Sequence, residues 1–358
     1  MKIKRSTKLS LKFCTAQKHQ ELSRVLDEYG RVVNLFIDDF WKDCPAKAAL
    51  LKPIVDSVDS WFSARLRKVA AREAVDMVKA MKALGGNKPV HRGKRMCVSS
   101  TIASLQPAKD STEFDAWLHL QSIGGVIVDL PVRYHKHYNK LLKRGRRLAS
   151  YVITRDSVQL CFEVQTGPKK VPVTAIGVDT GIKALASLST GEQLGTGVQD
   201  AITRIKRCKH GSKGQKRARR ALRQQMDETA KEVASSADLV VVEKLKGICH
   251  KTKVKRRLNK SMRRSLGSWN VRYWLGRLEQ RCEDNRVIFR SVPAQYTSQE
   301  CHECAHIERS NRDGERFLCQ KCGHADNADI NAAKNILSRL LLGPYGAEFK
   351  PTLTLMST

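Results

Sequence analysis

The sequence has no run approaching eighteen apolar residues, and no Leu-rich segment follows its start. A membrane helix needs about twenty such residues, so neither a membrane span nor a secretory leader is expected. No segment repeats at a fixed period, which sets aside solenoids and propellers. Acids are scarce: 35 Asp and Glu stand against 66 Lys and Arg in 358 residues, a net charge of +31. A surplus of that size speaks of partners rather than fold. Nucleic acid is the expected partner, with an anionic membrane surface a distant second. Hydrophobic residues make up 41% of the chain. That composition and length build two or three packed units, and exclude a small disulfide-stapled domain or a wholly disordered basic tail.

Eleven cysteines is an odd number, which argues against a complete disulfide framework. Seven stand singly, at Cys14, Cys44, Cys97, Cys161, Cys208, Cys249 and Cys282, and read as reduced thiols of an intracellular protein. The other four form Cys301-His-Glu-Cys304 and, fourteen residues on, Cys319-Gln-Lys-Cys322. Two C-x2-C knuckles at this separation place four thiolates at the corners of one tetrahedron, as a closed structural zinc site requires. A redox dithiol pair is the alternative. Gly323 follows the second pair, where a tight knuckle turn favours a residue tolerant of positive φ. With four thiolates at hand, His302, His306 and His324 are expected at the surface rather than on a metal.

Hydrophobic periodicity divides the chain. Residues 1–13 alternate (Ile3, Arg5, Thr7, Leu9, Leu11, Phe13) and predict a half-buried strand. Apolar residues at helical spacing predict an amphipathic helix over 18–41 and a second over 59–84, the latter with Trp61 on its apolar side. Gly85-Gly86-Asn87 closes that helix. Strand-like pieces follow from about 94 to 166, with a hairpin of 148–154 and 158–164 around Arg155-Asp156-Ser157. Residues 133–147 carry seven Lys or Arg and no acid. A helical pair is thus expected to interrupt a β domain, with a Gly-Pro-Lys-Lys linker at 167–170 ending this half. The second half opens with an apolar strand, 173–178, running into Asp179, then 184–189 and a third short strand as a meander. Further strands are predicted at 239–242 and 287–292, and a last helix at 330–342.

In so basic a chain, a carboxylate beside an apolar strand calls for a reason. Asp179 ends the first strand of the second half, Glu243 ends the 239–242 strand, and Asp329 opens the last helix. Singly, each has a plain structural reading: a turn, an ion pair with Lys244 or Lys246, and a helix cap. Together they follow the ribonuclease H order, in which the first strand, the fourth strand and the last helix bring their acids to one end of a sheet. Three carboxylates there can hold two Mg²⁺ ions about 3.5–4 Å apart, one activating water and one stabilising a leaving 3′ oxygen. Mg²⁺ takes oxygen ligands, so the cysteines would not serve.

Ile176-Gly-Val-Asp179-Thr-Gly-Ile-Lys183, Val240-Val-Val-Glu243-Lys-Leu-Lys246 and Asp329-Ile-Asn-Ala-Ala-Lys-Asn335 resemble the three split RuvC motifs of the TnpB (OrfB) family. Tyr296-Thr-Ser-Gln-Glu-Cys301, leading into the knuckles, resembles it too. These are RNA-guided endonucleases encoded by insertion sequences, related to the type V CRISPR effectors. Motif similarity is strongest over 174–340; the first half matches in layout. The resemblance implies an α/β RuvC-like domain of ribonuclease H fold at 171–295 and 325–342, with a zinc ribbon inserted at 296–324. It also implies an N-terminal β-barrel wedge domain at 1–14 and 88–170, a helical recognition insert at 15–87, and a disordered tail at 343–358. The implied activity is Mg²⁺-dependent cutting of double-stranded target DNA beside a transposon-adjacent motif, directed by a guide RNA from the transposon end. Asp179, Glu243 and Asp329 would be the catalytic, magnesium-binding acids, and Cys301, Cys304, Cys319 and Cys322 the zinc ligands. Asp326 is a rival for the third acid, though Asp329 has the matching Asp-x-Asn-Ala-Ala context. A bacterial or archaeal cytosol, in association with the nucleoid, is the implied compartment. The stretch between Asp179 and Glu243 is shorter than the family pattern. The alternatives are a nuclease-silent RNA-guided repressor and a compact CRISPR-guided type V effector.

The charge fits that resemblance. Residues 204–223 hold ten Lys or Arg and no acid, and twelve lie between Lys244 and Leu278, again without an acid. A guide RNA and its heteroduplex are held by backbone contacts in a cationic channel. The expected wall residues are Arg204, Lys206, Arg207, Lys213, Lys216, Arg217, Arg219, Arg220, Lys253, Lys255, Arg256, Arg257, Arg263 and Arg264. Trp269, Tyr273 and Trp274 are expected to form a helix core face, with base stacking as the less favoured reading.

Overall fold

A computed structural model describes residues 1–109, 111–122, 125–245, 259–342 and 354–355. The chain divides into two compact units, 2–165 and 166–358 with Met1.

In the first unit the elements are β1 (Lys2–Ser10), α1 (Ala16–Lys42), α2 (Lys52–Asp56), α3 (Ala64–Ala83), β2 (Arg95–Ser99), β3 (Ala103–Pro107), β4 (Ala116–Ser122), β5 (Gly125–Val132), α4 (Lys136–Arg144), β6 (Gly145–Thr154) and β7 (Ser157–Gln165). The apolar stripe of α1, from Leu22 to Phe40, is buried, and the Thr15 hydroxyl caps the helix by accepting from Lys18 N. The second helix begins later than its periodicity predicts. Ser63 Oγ accepts from Leu66 N and starts α3 at Ala64, so Trp61 lies outside the helix and is 46% exposed. The expected hairpin is present as antiparallel β6 and β7. Among the described residues the strands pair into two open sheets, in the orders β1-β7-β6-β2 and β3-β4-β5, not into one closed barrel. Both sheets and the helices share one hydrophobic core.

In the second unit, β8 (Thr174–Asp179), β9 (Ala186–Leu188) and β10 (Gln193–Leu194) form the antiparallel meander. Then come α5 (Val198–Arg207), α6 (Lys213–Ser236), β11 (Leu239–Glu243), α7 (Lys260–Trp269), α8 (Val271–Asn285) and β12 (Ile288–Val292). Three short strands follow, β13 (Arg312–Asp313), β14 (Arg316–Leu318) and β15 (Ala325–Asn327), and then α9 (Ala328–Leu342) and β16 (Thr354–Leu355). The main sheet runs β10-β9-β8-β11-β12, with β11 parallel to both β8 and β12. All five residues of β11 are buried, as expected of a central parallel strand covered on both faces. Alternation sorts the two faces. Ile176, Val178, Val240 and Val242 pack with α5, α6 and α8, whereas Ala175, Leu239 and Val241 pack with Ile336, Leu337, Leu340 and Leu341 of α9. β16 pairs in parallel with Thr174–Ala175, so the expectation of a disordered tail fails at Thr354–Leu355; the rest of the tail lies outside the described residues.

Candidate metal centres and basic faces

The two-residue period of the strands decides where the acids go. Ala175, Gly177 and Asp179 share one face of β8, and Leu239, Val241 and Glu243 share the same face of β11, the face covered by α9. Val178 is in register with Val242, so the next pair along sets Glu243 beside Asp179 at the C-terminal ends of parallel strands. Close approach of α9 supplies the third acid. A Cβ on Gly177 would lie 2.0 Å from Ala333 O and 2.9 Å from Leu337 N, so only glycine lets the helix pack so tightly here. Asn327, rather than Asp329, caps α9: its Oδ1 accepts from Asp329 N and Ile330 N, leaving the Asp329 side chain free for other partners.

The electrostatics record the crowding. Burial, then the charges of Glu243 and Asp329, push the Asp179 carboxyl up to about 7. Burial also raises Glu243, opposed by a hydrogen bond from Thr297 and by the charges of Arg339 and Arg312. Arg312 of β13 lies among the acids, its Nη2 2.7 Å from Asp329 Oδ1. The rival Asp326 is held by Lys334 at 2.9 Å and is not among the charges that raise Asp179. The sequence motifs gave neither Arg312 nor Thr297 a role: Arg312 lies outside them, and Thr297 belongs to the 296–301 motif leading into the knuckles rather than to an acidic one. The three carboxylates form an all-oxygen donor set, which suits a hard divalent cation. Their oxygens do not converge as tightly as the cysteine sulfurs. Among the described residues, only the four cysteines bring three or more ligand atoms within 4.8 Å of one another.

Those sulfurs are placed by two copies of one turn. Cys301 N donates to His306 O at 2.9 Å, and Cys319 N donates to His324 O at 2.8 Å. Ala305 N returns to Cys301 O, and Gly323 N to Cys319 O. Both returning residues have positive φ, 55° at Ala305 and 75° at Gly323, so the turn expected at Gly323 occurs twice, once without glycine. Cys301 and Cys322 sulfurs are 3.7 Å apart, and Cys304 and Cys319 sulfurs 3.6 Å. Zinc–sulfur bonds of about 2.3 Å in a tetrahedron put sulfurs ~3.8 Å apart, so the residues fit a structural Zn²⁺. Among the described residues no histidine joins the group. Phe317 and Ala328 pack against Cys301 and Cys319.

The basic run at 204–223 is a helical hairpin, α5 and α6. Arg204, Arg207, Lys213, Lys216, Arg217, Arg219 and Arg220 are exposed, while Ala218, Leu222 and Met226 face the core. Lys206 is half-buried and spends its ammonium on Ser261 and Ser265 of α7, at 3.0 and 3.1 Å, which ties α5 to α7. Arg263 and Arg264 are exposed on α7; Lys253, Lys255, Arg256 and Arg257 lie outside the described residues. Trp269 and Trp274 are buried in the core, as expected, whereas Tyr273 is half-buried against it, its Oη donating to Asp227 at 3.0 Å and Arg223 lying over its ring.

Comparison with known proteins agrees with this layout. A family model described as "Cas12f1-like, TNB domain" matches residues 274–336, which run from α8 through the ribbon into α9. A TnpB-like protein of Aquifex aeolicus is 31% identical over 137 residues, 36% of this chain and 43% of that protein. InsQ of Escherichia coli, named as an RNA-guided DNA endonuclease, is 28% identical over 215 residues, 51% of this chain and 52% of its own length. The chain thus spans about half the length of these curated relatives, or less. A solved Cas12f1–sgRNA–target DNA complex superimposes with a TM-score of 0.57 at 13% identity, over 90% of this chain and 83% of that one. The fold is that of a compact type V-like nuclease. Over part of its length the chain is similar to TnpB-like proteins, in agreement with the resemblance of its motifs.

Proposed function

We propose that the chain is an RNA-guided DNA endonuclease encoded by an insertion sequence, cutting target DNA beside a transposon-adjacent motif through a RuvC-like site. The observation that carries this reading is the meeting of Asp179, Glu243 and Asp329 at the C-terminal end of β8 and β11, next to a four-cysteine ribbon. The name of InsQ and the RNA and DNA in the Cas12f1 complex support a guide RNA and double-stranded DNA as partners. In this reading the unit 2–165 serves as wedge and recognition helices, and the exposed cations of α5, α6 and α7 grip nucleic-acid backbone.

Asp179, Glu243 and Asp329 would hold two Mg²⁺ ions, which when bound supply an activated water and stabilise the leaving 3′ oxygen. The chain's own residues prepare that site. The strand register sets two carboxylates side by side, Gly177 admits the helix bearing the third, and Arg312 compensates Asp329. Burial of Glu243 keeps bulk water from competing at its carboxylate. The ribbon carries Arg312 to the acids on β13, and Asn335 of α9 holds Thr297 there. The test is Asp179→Ala in the purified complex with its RNA. Target-plasmid cutting is expected to disappear while RNA retention is unchanged; undiminished cutting would overturn the site, and absence of any co-purifying RNA would overturn the guided reading.

A further inference from the structure

We infer that Thr297 is a positioning residue that presets the Glu243 carboxylate for a divalent cation. The inference rests on the reading of the three acids as the metal site. Glu243 is 9% exposed and Thr297 is 1% exposed. The Thr297 hydroxyl donates to Glu243 Oε1, the one side-chain hydrogen bond that Glu243 receives among the described residues. Oε2 keeps no such partner, so one oxygen is anchored and the other stays available.

Thr297 is itself held from behind. Asn335 Nδ2 donates to Thr297 O at 3.0 Å and to Glu300 O at 2.7 Å. Asn331 Nδ2 donates to Glu300 O at 2.8 Å, and its Oδ1 accepts from His302 N at 3.0 Å. Arg339 pairs with Glu300 and donates to Pro293 O at 3.0 Å. Asn331, Asn335 and Arg339 are spaced four apart, so a single face of α9 grips the whole 293–302 segment. The first turn of the same helix bears Asp329. One rigid element therefore places one acid directly and orients a second, on β11, through the Thr297 hydroxyl. A hydrogen bond that only satisfied a buried carboxylate would contribute to stability; one that fixes a ligand rotamer also sets cation affinity.

The test compares Thr297→Val, which keeps the shape and deletes the hydroxyl, with Thr297→Ser, which keeps the hydroxyl. The readouts are Mn²⁺ binding to the full chain with its co-purified RNA, by calorimetry or electron paramagnetic resonance, and the Mg²⁺ midpoint for cutting. Thr297→Val is expected to weaken Mn²⁺ binding and raise the Mg²⁺ midpoint by about 10–100-fold, while Thr297→Ser stays near the parent. Should the valine protein not fold, Thr297→Ala replaces it. Parent-like Mn²⁺ affinity in the hydroxyl-free variant, or an equal loss in Thr297→Ser, would overturn the inference. Glu243→Ala separates it from the reading beneath: if that variant binds Mn²⁺ as the parent does, the metal site itself is wrong. If Glu243→Ala loses binding and Thr297→Val does not, only the positioning role falls.

Discussion

The cysteine ribbon and the acidic cluster lie side by side on one unit, yet they are built in opposite ways. The four thiols come from 22 consecutive residues, 301–322, and two repeated turns bring their sulfurs within 4.8 Å. The three carboxylates come from a 151-residue span, 179–329, and are gathered by strand register, strand alternation and one close helix contact. The ribbon is closed around its own ligands. The acids are crowded instead: burial first, then the charges of Glu243 and Asp329, push Asp179 up to about 7. A local site can be complete before the rest folds; a distributed one depends on every element that carries it.

The largest expected effect lies on the ribbon. Structural zinc in small domains contributes about 10–16 kcal/mol of apparent binding energy that is also folding energy. Stripping it with a strong chelator, or replacing Cys301 with Ser, should open residues 296–327 to protease while β8, β11 and α5–α6 stay protected. Elemental analysis should give one zinc per chain. A ribbon that stays protected without metal would erase the distinction between a metal-built and a packing-built site.

Next comes charge at the acids. In the metal-free protein Asp179 binds a proton that the unfolded chain has already released between its ordinary value, 3.8, and about 7. Stability should therefore fall as pH rises through that window and stay low above it. Asp179→Asn removes the penalty and should raise metal-free stability at pH 8 by up to about 4 kcal/mol, at ~1.4 kcal/mol per pH unit. Thermal melts at pH 5 and pH 8 check this, and equal melting of the two proteins at pH 8 would break it. Divalent cations should narrow the difference, since they compensate the same charges.

Two glycines sharpen the contrast further. Gly177→Ala forces a Cβ against the α9 backbone and should cost about 1–3 kcal/mol or more, with cutting impaired beyond the loss of stability. Gly323→Ala meets no neighbour and adds only the cost of positive φ, about 1–2 kcal/mol, which Ala305 already bears in the first knuckle. Chemical denaturation of both variants ranks them; a larger loss at Gly323 would reverse the account.

The smallest effect is on the basic face. Replacing Arg219 and Arg220 by Ala should leave the melting temperature unchanged, since both are exposed. The slope of log affinity for nucleic acid against log salt should become shallower by roughly 0.7–0.9 for each lost phosphate contact. An unchanged slope would mean that these cations face solvent.

Much of this was legible in the residues because the physics is local. The knuckle spacing named the four cysteines whose sulfurs converge, the stripe from Leu22 to Phe40 named α1, and the apolar run before Glu243 named a central strand. Where local pattern misled, a side chain outside the pattern intervened. Ser63 capped α3 and put Trp61 in solvent, Lys206 turned from the basic face to bind α7, and Asn327 took the capping role open to Asp329. Arg312 and Thr297 could not be found by spacing, since each acts on an acid 17 or 54 residues away.

The sequence alone determined the ligand types, the sign and clustering of the charge, and the period of each element. Those depend on neighbours a few residues apart, which the chain brings together whatever its fold. Tertiary structure decided which oxygens meet. Adjacency of Asp179, Glu243 and Asp329 follows from the register between β8 and β11 and from the missing Cβ of Gly177. The reach of Arg312 and Thr297 follows from how α9 grips the ribbon's entry. These are long-range packing outcomes, and no window of sequence short enough to read for periodicity contains them.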